Sequence, residues 1–291
     1  MINGFINVLK PPGMSSHDVV SFIRRTYQIK KVGHAGTLDP SAAGVLPIAV
    51  GKATRLIEYM TDADKGYRAE LTLGYSTDSG DTTGNIIKGI EDFITPEFNV
   101  ITNVLDSFIG EIQQIPPMHS AIKINGTKLY DLARKGISIE RSPRAVTIKK
   151  ISLIKNSLDH FLFDVECSKG TYIRTLCLDI GVKLNIPSVM SFLIRTRVGG
   201  FKLDQAFTLE EITKYPLDVL QNIDVVLEHM PAVFLSSNLA QAFKQGQKII
   251  MKNTDIQNSL VRIYENDNDF IGIGEFDINK VLITPIKVIT R

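Results

Sequence analysis

The sequence has almost no sulfur with which to staple a fold. Its two cysteines, Cys167 and Cys177, form no Cys-x-x-Cys pair, and no zinc-like spacing links them to the five histidines. A disulfide scaffold or structural zinc site is thereby excluded, which leaves two buried thiols in a reducing compartment. No run of about 18 apolar residues occurs, so no membrane-spanning helix is expected. The first ten residues alternate polar and apolar side chains without a long apolar stretch, which argues against a signal peptide. An excess of one charge is missing too: 33 Lys and Arg face 31 Asp and Glu, a net +2. Any nucleic-acid surface must therefore come from local clustering. There is no internal repeat, no low-complexity tract and no phosphate-cradling Gly-x-x-x-x-Gly-Lys-Ser/Thr sequence. What remains is a soluble, cytoplasmic, globular protein. With 44% hydrophobic residues over 291 positions, it can bury one large core, or a large and a small one.

Periodicity divides the chain into elements. Residues 4–9 read as a strand stopped by Pro11-Pro12-Gly13. Ser15-x-x-Asp18 forms a capping box before Val19, Phe22 and Ile23 at helical spacing. Residues 31–44 are rich in Gly, Pro and Asp and have no period, which predicts a displayed loop. Residues 45–50 read as a buried strand and 52–60 as a short helix. Alternation over 66–74 puts Tyr67, Ala69, Leu71 and Leu73 on one face of a strand, ahead of a polar loop over 76–81. Thr95-Pro96-Glu97 signals a helix start, with Val100, Val104, Leu105 and Phe108 as its apolar stripe. Residues 115–144 differ in texture, with Pro116-Pro117, an Asn125-Gly126 turn and many basic residues, and predict a protruding hairpin and short helix. Strands follow over 146–154 and 161–167, then a helix from about Thr171 with Ile173, Leu176, Cys177 and Ile180 inward. A helical linker is expected from 207 to 231. Beyond it, four short strands over 247–289 suggest a small separate β-barrel.

The most specific segment is Gly33-His34-Ala35-Gly36-Thr37-Leu38-Asp39-Pro40-Ser41-Ala42-Ala43-Gly44-Val45-Leu46-Pro47. Two glycines and a proline fix a tight loop that presents one carboxylate and one imidazole. A loop Asp on its own is more often a cap or turn residue, and no second carboxylate stands near it in sequence to make a glycosidase-like pair. The whole string, however, closely resembles the Gly-His-x-Gly-x-Leu-Asp-Pro-x-Ala-x-Gly-x-Leu motif of the TruB family of pseudouridine synthases. Four further segments resemble that family in the same order. They are Lys10-Pro11-Pro12-Gly13-Met14-Ser15-Ser16, Lys65-Gly66-Tyr67-Arg68, Ile115-Pro116-Pro117-Met118-His119-Ser120-Ala121, and Cys167-Ser168-Lys169-Gly170-Thr171-Tyr172-Ile173-Arg174-Thr175.

The resemblance implies an α+β pseudouridine synthase fold with a mixed, largely antiparallel central sheet. Residues 1–231 would form the catalytic domain, including an RNA-clamping insertion over about 115–144. Residues 232–291 would form a PUA-like β-barrel, of which Ile271-Gly272-Ile273-Gly274-Glu275 resembles one strand. It implies isomerisation of uridine to pseudouridine at position 55 of the tRNA T-loop, without cofactor or metal. Asp39 would be the catalytic nucleophile and Arg174 its partner, keeping the carboxylate charged as a nucleophile requires. Arg174 falls in a first helical turn, where the positive dipole end is unfavourable to a cation and a carboxylate partner would offset it. Tyr67 would stack on the target base; its strand pattern alone reads as a core Tyr, and both hold if the ring lines a pocket. Tyr172 and Leu193 would touch the flipped nucleotide, with Lys10 and Lys169 from the flanking motifs also placed at the substrate. His34 would take over the stacking contacts that the uridine leaves behind.

RNA contacts are expected from the insertion, with Lys123, Lys128 and Arg134 as the clamp, and from Arg24, Arg25, Lys30 and Lys31. The stretch Leu193-Ile194-Arg195-Thr196-Arg197 departs from a family pattern that often reads Leu-Arg-Arg, and either Arg195 or Arg197 would have to compensate for Ile194. The partner expected is the T-arm of tRNA, met by a monomer without a membrane or an obligate protein partner. A guide-RNA-dependent relative of the dyskerin type would be expected to carry long charged extensions. A non-catalytic RNA-binding relative would be expected to lack Asp39, Tyr67 or Arg174. Neither expectation matches the sequence.

Overall fold

A computed structural model describes residues 2–120, 122–124, 126–133, 135–251, 256–257, 259–266 and 269–289. Strand β1 (Gly4–Lys10) leads to α1 (Ser16–Tyr27), whose start is the expected capping box. The Asp18 N–H donates to Ser15 Oγ, and the Ser15 N–H donates to the Asp18 carboxylate at 2.8 Å. Then come β2 (Val32–His34), β3 (Ala43–Val50), and the expected short helix, a tight 3₁₀ helix over Gly51–Met60. Strand β4 (Lys65–Leu73) is followed by a small β5 (Tyr75–Thr77) and β6 (Ile86–Gly89) hairpin, α2 (Phe98–Asp106) and β7 (Gly110–Gln114). The insertion carries β8 (Lys123–Ile124), β9 (Thr127–Lys128) and α3 (Leu129–Ala133). After it come β10 (Arg144–Asn156), β11 (His160–Cys167), α4 (Ile173–Leu184), β12 (Ser188–Val198), β13 (Phe201–Lys202), α5 (Leu209–Lys214) and β14 (Leu220–Gln221).

The central sheet runs β14-β1-β3-β12-β4-β11-β10-β7, with β2 on β3 and β13 on β12. Every pairing is antiparallel except β3 with β12, so the sheet is mixed and largely antiparallel, as the family resemblance implies. That parallel seam is only two pairs long, Ile194 with Ala43 and Arg195 with Gly44. Gly44 must be glycine there: its φ is +114°, and a Cβ would lie 2.2 Å from the Arg195 carbonyl oxygen. One face of β4 buries Tyr67, Ala69, Leu71 and Leu73 against α2 and α4, in a core shared with Phe161, Phe163 and Leu176. Its other face is polar and carries ion pairs such as Arg68 with Asp164. Both Cys167 and Cys177 are buried free thiols.

Three local expectations are corrected. Helix α2 starts at Phe98 with Glu97 as its N-cap, because the Thr95 hydroxyl donates instead to the Leu158 carbonyl at 2.5 Å. One position of the stripe changes: Val100 is 47% exposed and Ile101 takes the core position, whereas Leu105 and Phe108 are buried and Val104 packs against that core, as expected. Residues 207–231 form no continuous helix. They hold the short α5, the strand β14 at the sheet edge and a 3₁₀ turn over Val225–Leu227, because Ile212 and Val219 pack into the core beneath β1 and α1.

A second sheet follows, made of β15 (Ala232–Leu235), β16 (Ile249–Ile250), β17 (Ser259–Glu265), β18 (Asp269–Asp277) and β19 (Leu282–Val288). Its order is β15-β17-β18-β19-β16. Helix α6 (Ser237–Lys244) packs against it through Ala240 and Phe243. Neither β15 nor α6 was expected from the sequence. This sheet docks on the first through Ile273 and Ile289, which share a core with Phe5 and Leu227. Among the described residues no helix is long and apolar enough to cross a membrane.

Candidate active site

The loop over 35–42 enters β3 at the parallel seam, so the carboxylate it carries stands over the middle of the sheet. Several groups fix the loop. Leu38 is buried, and its N–H donates to Ser16 Oγ at 2.9 Å while that hydroxyl donates back to the Leu38 carbonyl. The Ala42 N–H donates to the Asp39 carbonyl, closing a turn over Pro40-Ser41. Two buried cations grip the loop from either side of Asp39. Lys10 Nζ donates to the carbonyls of Pro11 (2.9 Å), Met14 (2.6 Å) and Pro40 (3.2 Å). Arg195 is 0% exposed and donates to the carbonyls of Val45 (2.8 Å), Thr37 (3.2 Å) and Gly36 (3.2 Å). Burial pushes the Lys10 amine down to about 8, with the Asp39 charge opposing that shift.

Asp39, 35% exposed, places Oδ2 3.0 Å from Arg174 Nε. Arg174 is the second residue of α4 and is buried, so its carboxylate partner also relieves a cation at the positive end of a helix. Its other nitrogens donate to Ser79 O (3.1 Å) and His119 O (2.7 Å), which fixes the guanidinium plane from three directions. Tyr67 lies directly opposite Arg195 in the β4–β12 register, and Leu193 opposite Ala69. Burial pushes the Tyr67 phenol up, while Arg195, which hydrogen-bonds it, acts the other way. Tyr172 is the N-cap of α4, and burial pushes its phenol up as well. His34 ends β2 on the wall of the cleft, and burial pushes its imidazole below the ordinary value, which favours the neutral ring. The cleft measures about 1080 Å³ and is lined by Asp39, Arg174, Tyr67, Leu193, His34 and Tyr172 among others. The ordered motifs, distant in sequence, thus converge on one concavity.

Two residues expected at the substrate lie elsewhere. Lys10 sits behind the loop with its amine engaged by carbonyls. Lys169 is on the surface, paired with Asp62 at 2.5 Å, and does not line the cleft. Lys123 and Lys128 belong to the hairpin β8–β9, where only their backbone is described; Arg134 lies outside the described residues. The root of the insertion, at His119 and Ser120, forms part of the cleft wall.

Sequence reasoning missed two further carboxylates in the same cleft, the exposed Asp78 and the buried Asp81. Burial works to raise the Asp81 pKa, but donation from Thr83 and Ser79 and the Arg174 charge outweigh this and hold it below the usual range. Their only signal was the polar loop over 76–81. The structural weight of Arg195 was only partly visible, since the sequence offers it merely as one of two residues that could compensate for Ile194. A smaller groove, about 540 Å³, lies on the sheet face away from the α2–α4 core. Its walls carry charges that pair with each other, as Arg197 does with Glu166, so the chemistry belongs to the larger cleft. Among the described residues no His, Cys, Asp and Glu group gathers to hold a metal ion.

The model of the N-terminal domain of TruB family pseudouridylate synthases matches residues 24–173. The tRNA pseudouridylate synthase B C-terminal domain matches 174–228, and the C-terminal model of pseudouridine synthase II TruB matches 231–288. A tRNA pseudouridine synthase B of Caldanaerobacter subterraneus is 49% identical over 284 residues, covering 96% of this chain and 97% of that protein. Its namesake in Clostridioides difficile is 44% identical over 286 residues, covering 94% of each. Among solved structures, an H/ACA RNP bound to a substrate RNA containing 2′-deoxyuridine has a chain that superposes with a TM-score of 0.74 at 26% identity, covering 99% of this chain and 85% of that one. A chain of a Cbf5-Nop10-Gar1 complex does so with a TM-score of 0.72 at 28% identity, covering 99% and 84%. Domain models over most of the sequence and near-full-length relatives agree with the geometry of the cleft: the chain belongs to the TruB family of pseudouridylate synthases.

Proposed function

We propose that this chain isomerises uridine to pseudouridine at position 55, in the T-loop of tRNA, with Asp39 as nucleophile and no cofactor. The observation that carries this reading is the Asp39–Arg174 pair at 3.0 Å, set in a cleft beside Tyr67 and Leu193. Arg174 engages Oδ2, so Oδ1 is the oxygen that attacks the target nucleotide. The bond between N1 and C1′ then breaks, the uracil turns, C5 bonds to C1′, the bond to Asp39 breaks and returns the free carboxylate, and C5 gives up its proton while N1 takes one up. Atoms and charge balance without an oxidant, reductant or group donor. The Tyr67 ring, neutral and packed in the cleft wall, stacks on the turning base, and Leu193 and Tyr172 bound the space around it. A base taken out of a folded loop loses stacking that amounts to a few kcal/mol. The neutral His34 ring at the mouth supplies a replacement surface.

The T-arm would be held by the insertion through Lys123, Lys128 and Arg134, and by Arg24, Arg25, Lys30 and Lys31 on the α1 side. On this reading the chain acts as a monomer in the cytoplasm. The test is release of tritium from tRNA transcripts carrying 5-³H-uridine, with wild type and Asp39→Asn compared. Release by wild type alone, confined to the T-loop uridine, is expected. Equal turnover by Asp39→Asn would remove the carboxylate from the nucleophile's role. The likeness to chains of H/ACA complexes supports a second, guide-dependent reading. Intact tRNA binding without release from any transcript would favour it.

A further inference from the structure

Where the insertion leaves the central sheet, its stem is tied to the first turn of α4 at three points. Gln114, the last residue of β7 and only 2% exposed, meets Tyr172. Its Oε1 accepts from the Tyr172 N–H at 3.0 Å, and its Nε2 donates to the Tyr172 carbonyl at 3.3 Å. One residue on, the Ile115 carbonyl accepts from the Thr175 hydroxyl at 3.5 Å, and further along the His119 carbonyl accepts from Arg174. Tyr172 is the N-cap of α4 but has no capping side chain of its own. Its carbonyl opens the helix ladder by accepting from the Leu176 N–H at 3.0 Å, while its N–H points away from the helix and has no acceptor within it. The carboxamide of Gln114 supplies that acceptor and a second donor together. A carboxylate in its place could do only the first, and an alkyl group neither.

The start of α4 decides where Arg174 points. Successive helical residues turn by about 100°, so a start displaced by one residue would swing Arg174 away from Asp39. We infer that Gln114 is a positioning residue for the isomerisation: its amide fixes the register of α4, and so places Tyr172 in the pocket wall and Arg174 on Asp39. This rests on the reading of the Asp39 cleft given above. Gln114 touches neither substrate nor the reacting atoms; it acts through the backbone of Tyr172. It also joins the insertion, which grips RNA, to the helix that carries the partner of the nucleophile.

The experiment compares wild type, Gln114→Leu, Gln114→Glu and Asp39→Asn. It measures single-turnover tritium release at saturating enzyme, RNA affinity by filter binding, and the folded fraction by circular dichroism. The rate per folded molecule should fall about tenfold or more in Gln114→Leu, equivalent to about 1.4 kcal/mol of barrier, with affinity within twofold. Gln114→Glu, which keeps the acceptor and loses the donor, should fall in between. A residue that merely stabilised the fold would lower the melting temperature and leave that rate unchanged. A Gln114→Leu rate within twofold of wild type overturns the inference, and so does a loss confined to affinity. If Asp39→Asn is inactive in the same assay, such a result removes only Gln114. If Asp39→Asn turns over normally, the reading of the cleft fails and takes this inference with it.

Discussion

Replacing Arg195 with Met tests whether the loop that carries Asp39 is held by a buried guanidinium. The two side chains are similar in length, so the core is refilled, but Met offers no donor. Three carbonyls lose their partner: Gly36 and Thr37 in the loop, and Val45 in β3. Hydrogen bonds from a charged donor contribute about 1.5–3 kcal/mol each, so the gross loss is about 4.5–9 kcal/mol. Against this stands the desolvation cost of a fully buried cation, several kcal/mol, which the variant no longer bears. The Gly36 and Thr37 carbonyls border the cleft and can rehydrate, whereas the Val45 oxygen is enclosed. The net destabilisation comes to about 2–4 kcal/mol, visible as a lower urea midpoint with an unchanged slope. Activity should fall further than stability. Once the loop can drift by about 1 Å, the rate falls on the order of 100-fold, measured as single-turnover tritium release per folded molecule. Arg195→Lys should be intermediate in both. If Arg195→Met kept both the midpoint and the rate of wild type, the loop would owe its position to something else.

Two further predictions concern charge. Burial pushes the Lys10 amine down to about 8, from an ordinary value of 10.5. Between those pH values the unfolded chain holds a proton that the folded chain has lost, so folding stability should rise with pH in that window relative to Lys10→Met. Turnover should fall over the same range, because a neutral amine has two N–H groups for three carbonyls. Parallel trends in Lys10→Met, or a wild-type rate flat from pH 7 to 9.5, would show that the loop does not depend on the ammonium. Replacing Lys123, Lys128 and Arg134 together by Ala should weaken tRNA binding and make log K against log salt shallower by about 2–3, one phosphate contact each. An unchanged slope in filter binding would mean that the insertion holds RNA by other groups.

Much of the central sheet was readable because its strands carry the period-2 signal undiluted. Tyr67, Ala69, Leu71 and Leu73 face one core, and the alternation in β4 states this directly. The capping box of α1 was readable for the same local reason, since Ser15 and Asp18 satisfy each other within one turn. What failed was non-local. Strand β12 lies between β3 and β4 in the middle of the sheet, yet its Arg195 and Arg197 interrupt the apolar run that would mark a central strand. Residues 209–221 contain a helical signal that β1 overrides by offering an edge to β14. The start of α2 was placed too early because the Thr95 hydroxyl is taken by Leu158, more than sixty residues on.

The site shows the same division more sharply. Motif resemblance picked out Asp39, Arg174 and Tyr67, whose side chains the fold brings to one cleft. It also assigned Lys10 to the substrate, because a motif lysine looks like a contact, whereas the fold buries it behind the loop. Composition cannot distinguish those roles, since an ammonium bound to carbonyls and one bound to phosphate are the same residue. The distinction lies in what each cation faces. Lys10 and Arg195 face carbonyls and hold a loop, whereas Arg174 faces Asp39 and holds a carboxylate. Seen this way, Asp39 lies among three buried cations, of which only Arg174 is paired with it directly. On the proposed reading, the pair with Arg174 and the two loop-holding cations keep the carboxylate oriented before substrate arrives, so that little rearrangement is needed at the moment of attack. The two loop-holding cations therefore matter to the reaction through geometry, and their removal should reduce the rate even where RNA affinity is unchanged.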